Sequence, residues 1–398
     1  MASRRDFLKI SSLASAAFLT PGFLQKLAET RPAFKGKRLV VVQLSGGNDG
    51  LNAFVPYAND LYYQNRPGIG IPRQEVLTLT DDLGLNPALA ALRPLYDQGW
   101  LSVVSDVGYP NPDRSHFRAL DIWHSASDAS DYWTTGWLGR YLDAKCATGG
   151  PDHQVIEVDE TLSLAVKGTR HRALAVKDPD RLYKSSRGAY IQMLNQAYGK
   201  SATTQPDLDY LYKTLTSTTQ SAEYLKTTLE NRPESGAYPG TDLGKQLRMV
   251  GSLIGAGFEA SVYYVSLSGF DTHANQRGQQ ERTLKTYAEA VAAFVEDLRR
   301  MGAWDDTVVL TFSEFGRRVK QNASAGTDHG KANTLWIMGK NLQKPGLVNG
   351  APQLHTLDDG DLSFRVDFRQ VYAGLLGSWL EADDKQILGR TFEKLVLA

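Results

Sequence analysis

Residues 38–44, RLVVVQL, form an almost unbroken apolar run that stops at Ser45-Gly46-Gly47. A strand with one wet face alternates apolar and polar residues, so an unbroken run marks a strand buried on both faces. Similar runs recur at 101–107 (LSVVSDV), 262–268 (VYYVSLS), 307–312 (TVVLTF) and 333–339 (NTLWIMG). Between the third and fourth, Leu284, Tyr287, Val291, Phe294 and Leu298 fall at helical spacing, and "NPALAALRPLYDQG" is helical before the second. Such alternation points to an α/β fold with a mostly parallel sheet.

A chain of 398 residues with 42% hydrophobic content can bury one large core or two smaller ones. Lys+Arg and Asp+Glu are both 44, so no global charge recruits nucleic acid or anionic lipid. The single cysteine, Cys146, excludes an internal disulfide and a thiolate cluster. A metal site here must use oxygen and imidazole donors. The span 190–248 is polar, Thr-rich and helical in pattern, with no strand-like run. It reads as a helical insertion or cap within one domain, because strands of the same type resume after it.

At the N-terminus, Arg4-Arg5 and Phe7-Leu8-Lys9 precede a weakly apolar run from Ile10 to Leu24. That run is too short and too rich in Ser and Ala for a spanning helix, and its basic flank suits an export signal. The pattern Ser-Arg-Arg-x-Phe-Leu-Lys resembles the twin-arginine signal, which implies the twin-arginine translocation machinery as a partner and a periplasmic or secreted location. The expected organisation is a signal segment over 1–30 and an α/β domain over 35–398.

In parallel α/β sheets, functional groups gather beyond the C-terminal ends of the strands. Polar residues cluster there: Asn48 and Asp49, then Asp113, Arg114, Ser115 and His116, then Asp271 and His273, then Glu314 and Arg317, and finally Asp328-His329. Each has an ordinary use as well. Asp49-Gly50 is a turn pair. Asp113 or Ser115 suits a helix cap, as does Asp271. Glu314 suits a surface pair with Arg317 or Arg318, worth about a kilocalorie or less. Taken together at strand ends they read as one site. An oxygen-rich donor set with some imidazole suits a divalent ion (Zn, Mn, Mg or Ca) in hydrolytic work. Ser115 at a helix start, where N–H groups favour an anion, suits a nucleophile toward phosphate or sulfate. No P-loop and no G-x-S-x-G elbow is present.

The stretches RRDFLK, VVQLSGGNDGLNAFVPY, DRSHFRALDIW, GFDTHANQ, TFSEFGR and GTDHG resemble the bacterial domain-of-unknown-function family 1501. That family is related to the alkaline phosphatase and sulfatase superfamily. The resemblance implies an alkaline-phosphatase-like three-layer sandwich with metal ligands at strand ends. It implies Asp49 as a first-strand ligand, Ser115 as nucleophile with His116 beside it, and Asp271 and His273 as a metal pair completed by His329. Glu314 and Asp328 join the expected metal set, Asp328 also as an orienter of His329. Asn48, Arg114 and Arg317 are expected to hold a small anionic ester or polysaccharide substrate. Two departures stand out. Glu314-Phe315-Gly316 occupies the place of the superfamily's Asp-His-Gly, leaving His116 to substitute, and the sulfatase motif Cys/Ser-x-Pro-x-Arg is absent. A metal-dependent hydrolase and a non-catalytic metal-binding or assembly protein are both consistent with this pattern.

Overall fold

The computed structural model describes residues 36–148, 153–171, 173–188, 191, 193–194, 206–230, 233 and 235–398. The twin-arginine-like segment, residues 1–30, lies outside them.

All five apolar runs are strands of one sheet, and their order explains their composition. In chain order its strands are β1 (Arg38–Ser45), β2 (Leu101–Gly108), β3 (Val155–Glu157), β4 (Leu174–Ala175), β5 (Val262–Ser268), β6 (Thr307–Phe312), β7 (Asn333–Gly339) and β8 (Gly346–Leu347). A short hairpin follows, β9 (Leu357–Asp358) and β10 (Asp361–Leu362), and then β11 (Val366–Asp367). The spatial order is β8-β2-β7-β6-β1-β5-β3-β4, with β11 also on β2. β1 lies between β5 and β6, parallel to both. Only β7 runs against its neighbours β2 and β6. The sheet is therefore mixed and mostly parallel. Reversal of β7 has one consequence for function. The 313–332 connection leaves the C-terminal end of β6 and enters β7 at that same edge.

Alternate residues of each strand enter two separate cores. Val40, Val42, Tyr263, Val265, Val309 and Trp336 face one. Leu39, Val41, Val262, Tyr264, Leu310 and Ile337 face the other. Against the second core pack α1 (His116–Ser125), α2 (Trp137–Ala147) and α6 (Phe368–Gly374). The first is covered by α3 (Pro206–Glu230), α4 (Asp242–Gly255) and α5 (Gln276–Arg300). Helices thus cover both faces, which makes three layers. In α5 the buried residues Leu284, Tyr287, Val291, Phe294 and Leu298 keep the 3.6-residue period that the sequence showed. The Tyr287 hydroxyl bonds Thr311 of β6 at 2.7 Å and accepts from Trp336 Nε1 of β7 at 2.7 Å, fixing helix to sheet. Within 190–248, Leu225 and Leu229 of α3 and Leu243 and Leu247 of α4 enter the first core, so these helices belong to the covering layer.

Candidate metal centre

Beyond the C-terminal end of β1 the chain passes close to two neighbouring loops. A Cβ on Gly46 would stand 2.4 Å from the Asp271 nitrogen, and one on Gly47 would stand 2.2 Å from the Phe315 ring. Both glycines also hold positive φ, +116 and +72. Close approach at this turn brings the loops after β5 and β6 together. The start of α1 completes the group.

Four side chains from three segments converge there. Asp271 Oδ1 lies 3.1 Å from His273 Nε2, 3.3 Å from His329 Nε2 and 3.5 Å from His116 Nε2. Donor atoms of His116, Asp271 and His329 lie within 4.8 Å of one another. Each ring is anchored from behind. His116 Nδ1 meets Glu314 Oε1 at 2.9 Å, His273 Nδ1 meets Asp328 Oδ1 at 3.3 Å, and His329 Nδ1 meets the Arg114 carbonyl at 2.7 Å. Carboxylate and carbonyl oxygens only accept, so each Nδ1 is the proton-bearing nitrogen toward its anchor. Each Nε2 faces Asp271 Oδ1, donating to it when the ring is protonated and presenting a lone pair to the centre when the ring is neutral. His273 and His329 Nε2 stand 3.0 Å apart, and His116 Nε2 is buried with no hydrogen-bond partner. Two acceptor nitrogens at that distance repel unless a proton or a cation lies between them.

The electrostatics agree with the geometry. The hydrogen bond that His116 donates to Glu314 leads the causes that raise His116 above the usual imidazole range, making it a stronger base. Burial lowers His329 and favours its neutral, ligating form. At Asp271 burial opposes ionisation, but the Arg317 hydrogen bond and charge, with His329 and His273, outweigh it and hold the carboxyl at about 2. Phe315 walls one side, its ring centroid 4.9 Å from that of His116 and 4.6 Å from that of His329.

Several expected assignments are corrected. Asp49 does not face the centre; it is buried, paired with Arg66 and Gln276, and caps the short helix Gly50–Ala53. Glu314 and Asp328 sit one step outside, on the Nδ1 side of the rings, where Glu314 meets His116 and Asp328 meets His273. Asn322 Nδ2 holds Asp328 Oδ1 at 3.2 Å and leads the causes that keep its carboxyl low. Arg317 is not placed to hold substrate, because its guanidinium is buried. It donates to Gly47 O, Gly46 O, Thr327 O, Phe270 O and Asp271 Oδ1, stitching the loops. Asn48 is fully buried and accepts from Gln280 at 3.1 Å, so it too is closed to a ligand. Arg114 bonds Asp361 with its side chain. Ser115 occupies the N-cap of α1 with extended φ, ψ and makes no side-chain capping bond. Asp113 Oδ1 accepts from Ser115 N at 2.7 Å in the turn that precedes the helix. Ser115 therefore lies, with an uncommitted role for its hydroxyl, between Arg114, which anchors His329, and His116. Arg66, Asn322 and Asp361 carried no motif by which the sequence could reveal them.

A family model described as "Protein of unknown function (DUF1501)" matches residues 103–378. No curated protein matches the chain. Among solved structures, a protein in the alkaline phosphatase superfamily from Vibrio parahaemolyticus is 12% identical, with 90% of this chain and 71% of that one covered at a TM-score of 0.41. The PsFucS1 sulfatase from Pseudoalteromonas sp. is 10% identical, with 92% and 70% covered at 0.37. The C-terminal periplasmic domain of EptC from Escherichia coli, in complex with Zn, is 11% identical, with 78% and 76% covered at 0.33. Similarity at this level assigns no activity.

Proposed function

The chain belongs to the DUF1501 family of proteins of unknown function, and from its site we propose an exported metal-dependent hydrolase of a phosphate or sulfate ester, with Ser115 as nucleophile. One observation carries the reading: three imidazole Nε2 atoms and one carboxylate oxygen converge, each ring held on its Nδ1 side by an acceptor behind it. The 3.0 Å between His273 and His329 Nε2 is near the ~3.3 Å expected of two ligands about 2.0–2.1 Å from one tetrahedral ion. Three nitrogens to one oxygen favour Zn²⁺, or Mn²⁺, over Mg²⁺ and Ca²⁺, which prefer all-oxygen shells.

When bound, such an ion polarises an ester oxygen and acidifies a neighbouring hydroxyl. The residues of the chain do the rest. His116, Asp271 and His329 would hold the ion, joined by His273, which stands 3.0 Å from His329 and 3.1 Å from Asp271. Glu314, Asp328 and the Arg114 carbonyl keep the rings oriented. Ser115 Oγ attacks phosphorus or sulfur while the bond to the leaving alcohol breaks and the serine proton passes through solvent to the alcohol. Water then displaces the serine oxygen, releasing phosphate or sulfate and returning a proton to Ser115. Unpaired N–H groups in the first turn of α1 meet the charge that develops on the ester oxygens. Phe315 excludes water from one side.

The test is Ser115→Ala assayed against aryl phosphates and sulfates, with metal content measured in parallel. Hydrolysis should fall at least a hundredfold while metal content and folding stay intact, since the hydroxyl caps nothing. Full turnover by Ser115→Ala would remove the covalent step. Export rests on Arg4 and Arg5, so the Arg4→Lys/Arg5→Lys double variant should remain in the cytoplasm; its normal appearance outside the inner membrane would end that part of the proposal.

A non-catalytic metal-binding role has one observation in its favour. Around the centre Arg114, Arg317, Arg318 and Lys331 are each committed to an acid or a carbonyl, leaving none of these four cations free for an anionic substrate. A metal-loaded wild type inert toward every ester would favour that role. In both readings the neutral charge balance supports no nucleic-acid partner.

A further inference from the structure

We propose that the β9–β10 hairpin is an ionic clamp on the metal centre, and that buried Asp361 is its positioning residue. The inference rests on the metal-site reading given above. Three cations converge on this six-residue turn, and each belongs to a segment that builds the centre. Arg114 precedes His116 by two residues, and its own carbonyl is the acceptor for His329 Nδ1. Arg318 follows Arg317, and its amide donates to the Asp328 carbonyl at 3.0 Å. Lys331 follows His329 by two residues.

Their partners are the hairpin's acids. Arg114 Nη2 bonds Asp361 Oδ2 and lies 3.8 Å from Asp359 Oδ2. Arg318 stands 3.8 Å from Asp361 Oδ1 and 3.5 Å from Asp359 Oδ2, and it donates to the Asp359 carbonyl at 3.0 Å. Lys331 Nζ bonds Asp358 Oδ2 at 2.6 Å. Asp358 and Asp359 are exposed, and pairs of that kind are weak. Asp361 differs: its side chain is 0% exposed, so its charge depends on Arg114 and Arg318. Left-handed backbone at Asp359 and Gly360, φ +54 and +76, turns the hairpin back so that acids on both arms face the cations.

The consequence reaches the ligands through the main chain. Loss of the Asp361 charge frees the Arg114 side chain, and the Arg114 carbonyl then no longer holds its place behind His329. With that acceptor displaced, His329 Nδ1–H loses its partner, and the proton is free to sit on Nε2, where it blocks ligation. His116 is carried on the same segment two residues later. Acceptors behind ligating histidines are worth about 10–100-fold in metal affinity. Asp361 acts one step further out, so about tenfold is expected.

Two measurements on the full chain test this. Zn²⁺ affinity is measured by competition with a chromophoric chelator for wild type, Asp361→Asn, Arg114→Gln and the double variant. Expected is about tenfold weakening in each single variant and less than additive further loss in the double, since both remove the Arg114–Asp361 contact. Asp384→Asn, which breaks a half-exposed ion pair with Lys394 elsewhere, is the control and should leave affinity unchanged. In parallel, ¹⁵N NMR of metal-free protein reads the His329 tautomer: Nδ1–H in wild type, mixed in Asp361→Asn. If Asp361→Asn does not fold, Arg114→Gln carries both readouts. A wild type that binds no Zn²⁺ overturns the metal reading, and the tautomer comparison still decides the clamp. An unchanged His329 tautomer together with unchanged affinity overturns the clamp.

Discussion

Glu157 shows how a buried acid outside the centre sets the pH response of the protein. Its carboxyl lies in β3, nearly inaccessible, and accepts the Ser163 amide at 2.8 Å. Burial pushes it up to about 7, with Ser163 and Lys167 only partly offsetting the effect. The folded protein thus binds this proton more tightly than the unfolded chain. Its stabilising contribution is complete below the unfolded value near 4.5 and is lost as pH rises through 7. A shift of this size corresponds to at most about 3 kcal/mol. Glu157→Gln removes the titration while keeping an acceptor for Ser163. Urea midpoints at pH 5 and pH 8 should therefore show the variant gaining on the wild type by up to about 3 kcal/mol between the two conditions; parallel pH slopes would refute the assignment. The same scale explains what the sequence concealed. Asp49 and Asp271 are one residue type in one kind of loop, yet Arg66, seventeen residues on, closes the first. Arg114 contributes a main-chain carbonyl, which every residue has, so no side-chain pattern could mark it.

Among the elements, legibility followed burial. β1, β2, β5, β6 and β7 could be read because both faces are covered, which forces an unbroken apolar run. β3, β4, β8 and β11 have two or three residues each, too few to show any period, and they sit toward the margins of the sheet. The direction of β7 was illegible for a different reason: an apolar run reads the same in either orientation. That reversal matters, since it returns the 313–332 loop to the edge where β1 and β5 end. His329 thereby meets Asp271 and His273. α1 supplies the remaining donor from its first turn, where His116 faces inward while Phe117 stays 86% exposed. Three histidines at strand and helix ends were visible as a set; the acceptors that orient them were visible only as ordinary loop residues.

For the molecule as a whole, the centre is a tie between parts distant in sequence. His116 opens α1 on one face of the sheet, Asp271 and His273 follow β5, and His329 belongs to the loop entering β7. Unfolding separates these donors, so a metal that needs all of them binds the native state and stabilises it by RT ln(1 + [metal]/Kd). At a hundredfold excess over Kd that is about 2.7 kcal/mol, a shift of several degrees in Tm for a domain of this size. Melting temperature should rise with the logarithm of free Zn²⁺ and fall to a floor with excess chelator. His329→Ala should melt at that floor and ignore added Zn²⁺, because it removes the imidazole that faces both Asp271 and His273. Asp49→Asn provides the contrast. Its partner Arg66 would be left buried without a counter-charge, so Tm should drop by several degrees at every Zn²⁺ concentration. The metal-dependent rise should survive, because Asp49 turns its carboxylate to Arg66 and Gln276 and away from the centre. A Zn²⁺-independent melting curve in the wild type, or a rise that persists in His329→Ala, would show that these four side chains do not hold an ion.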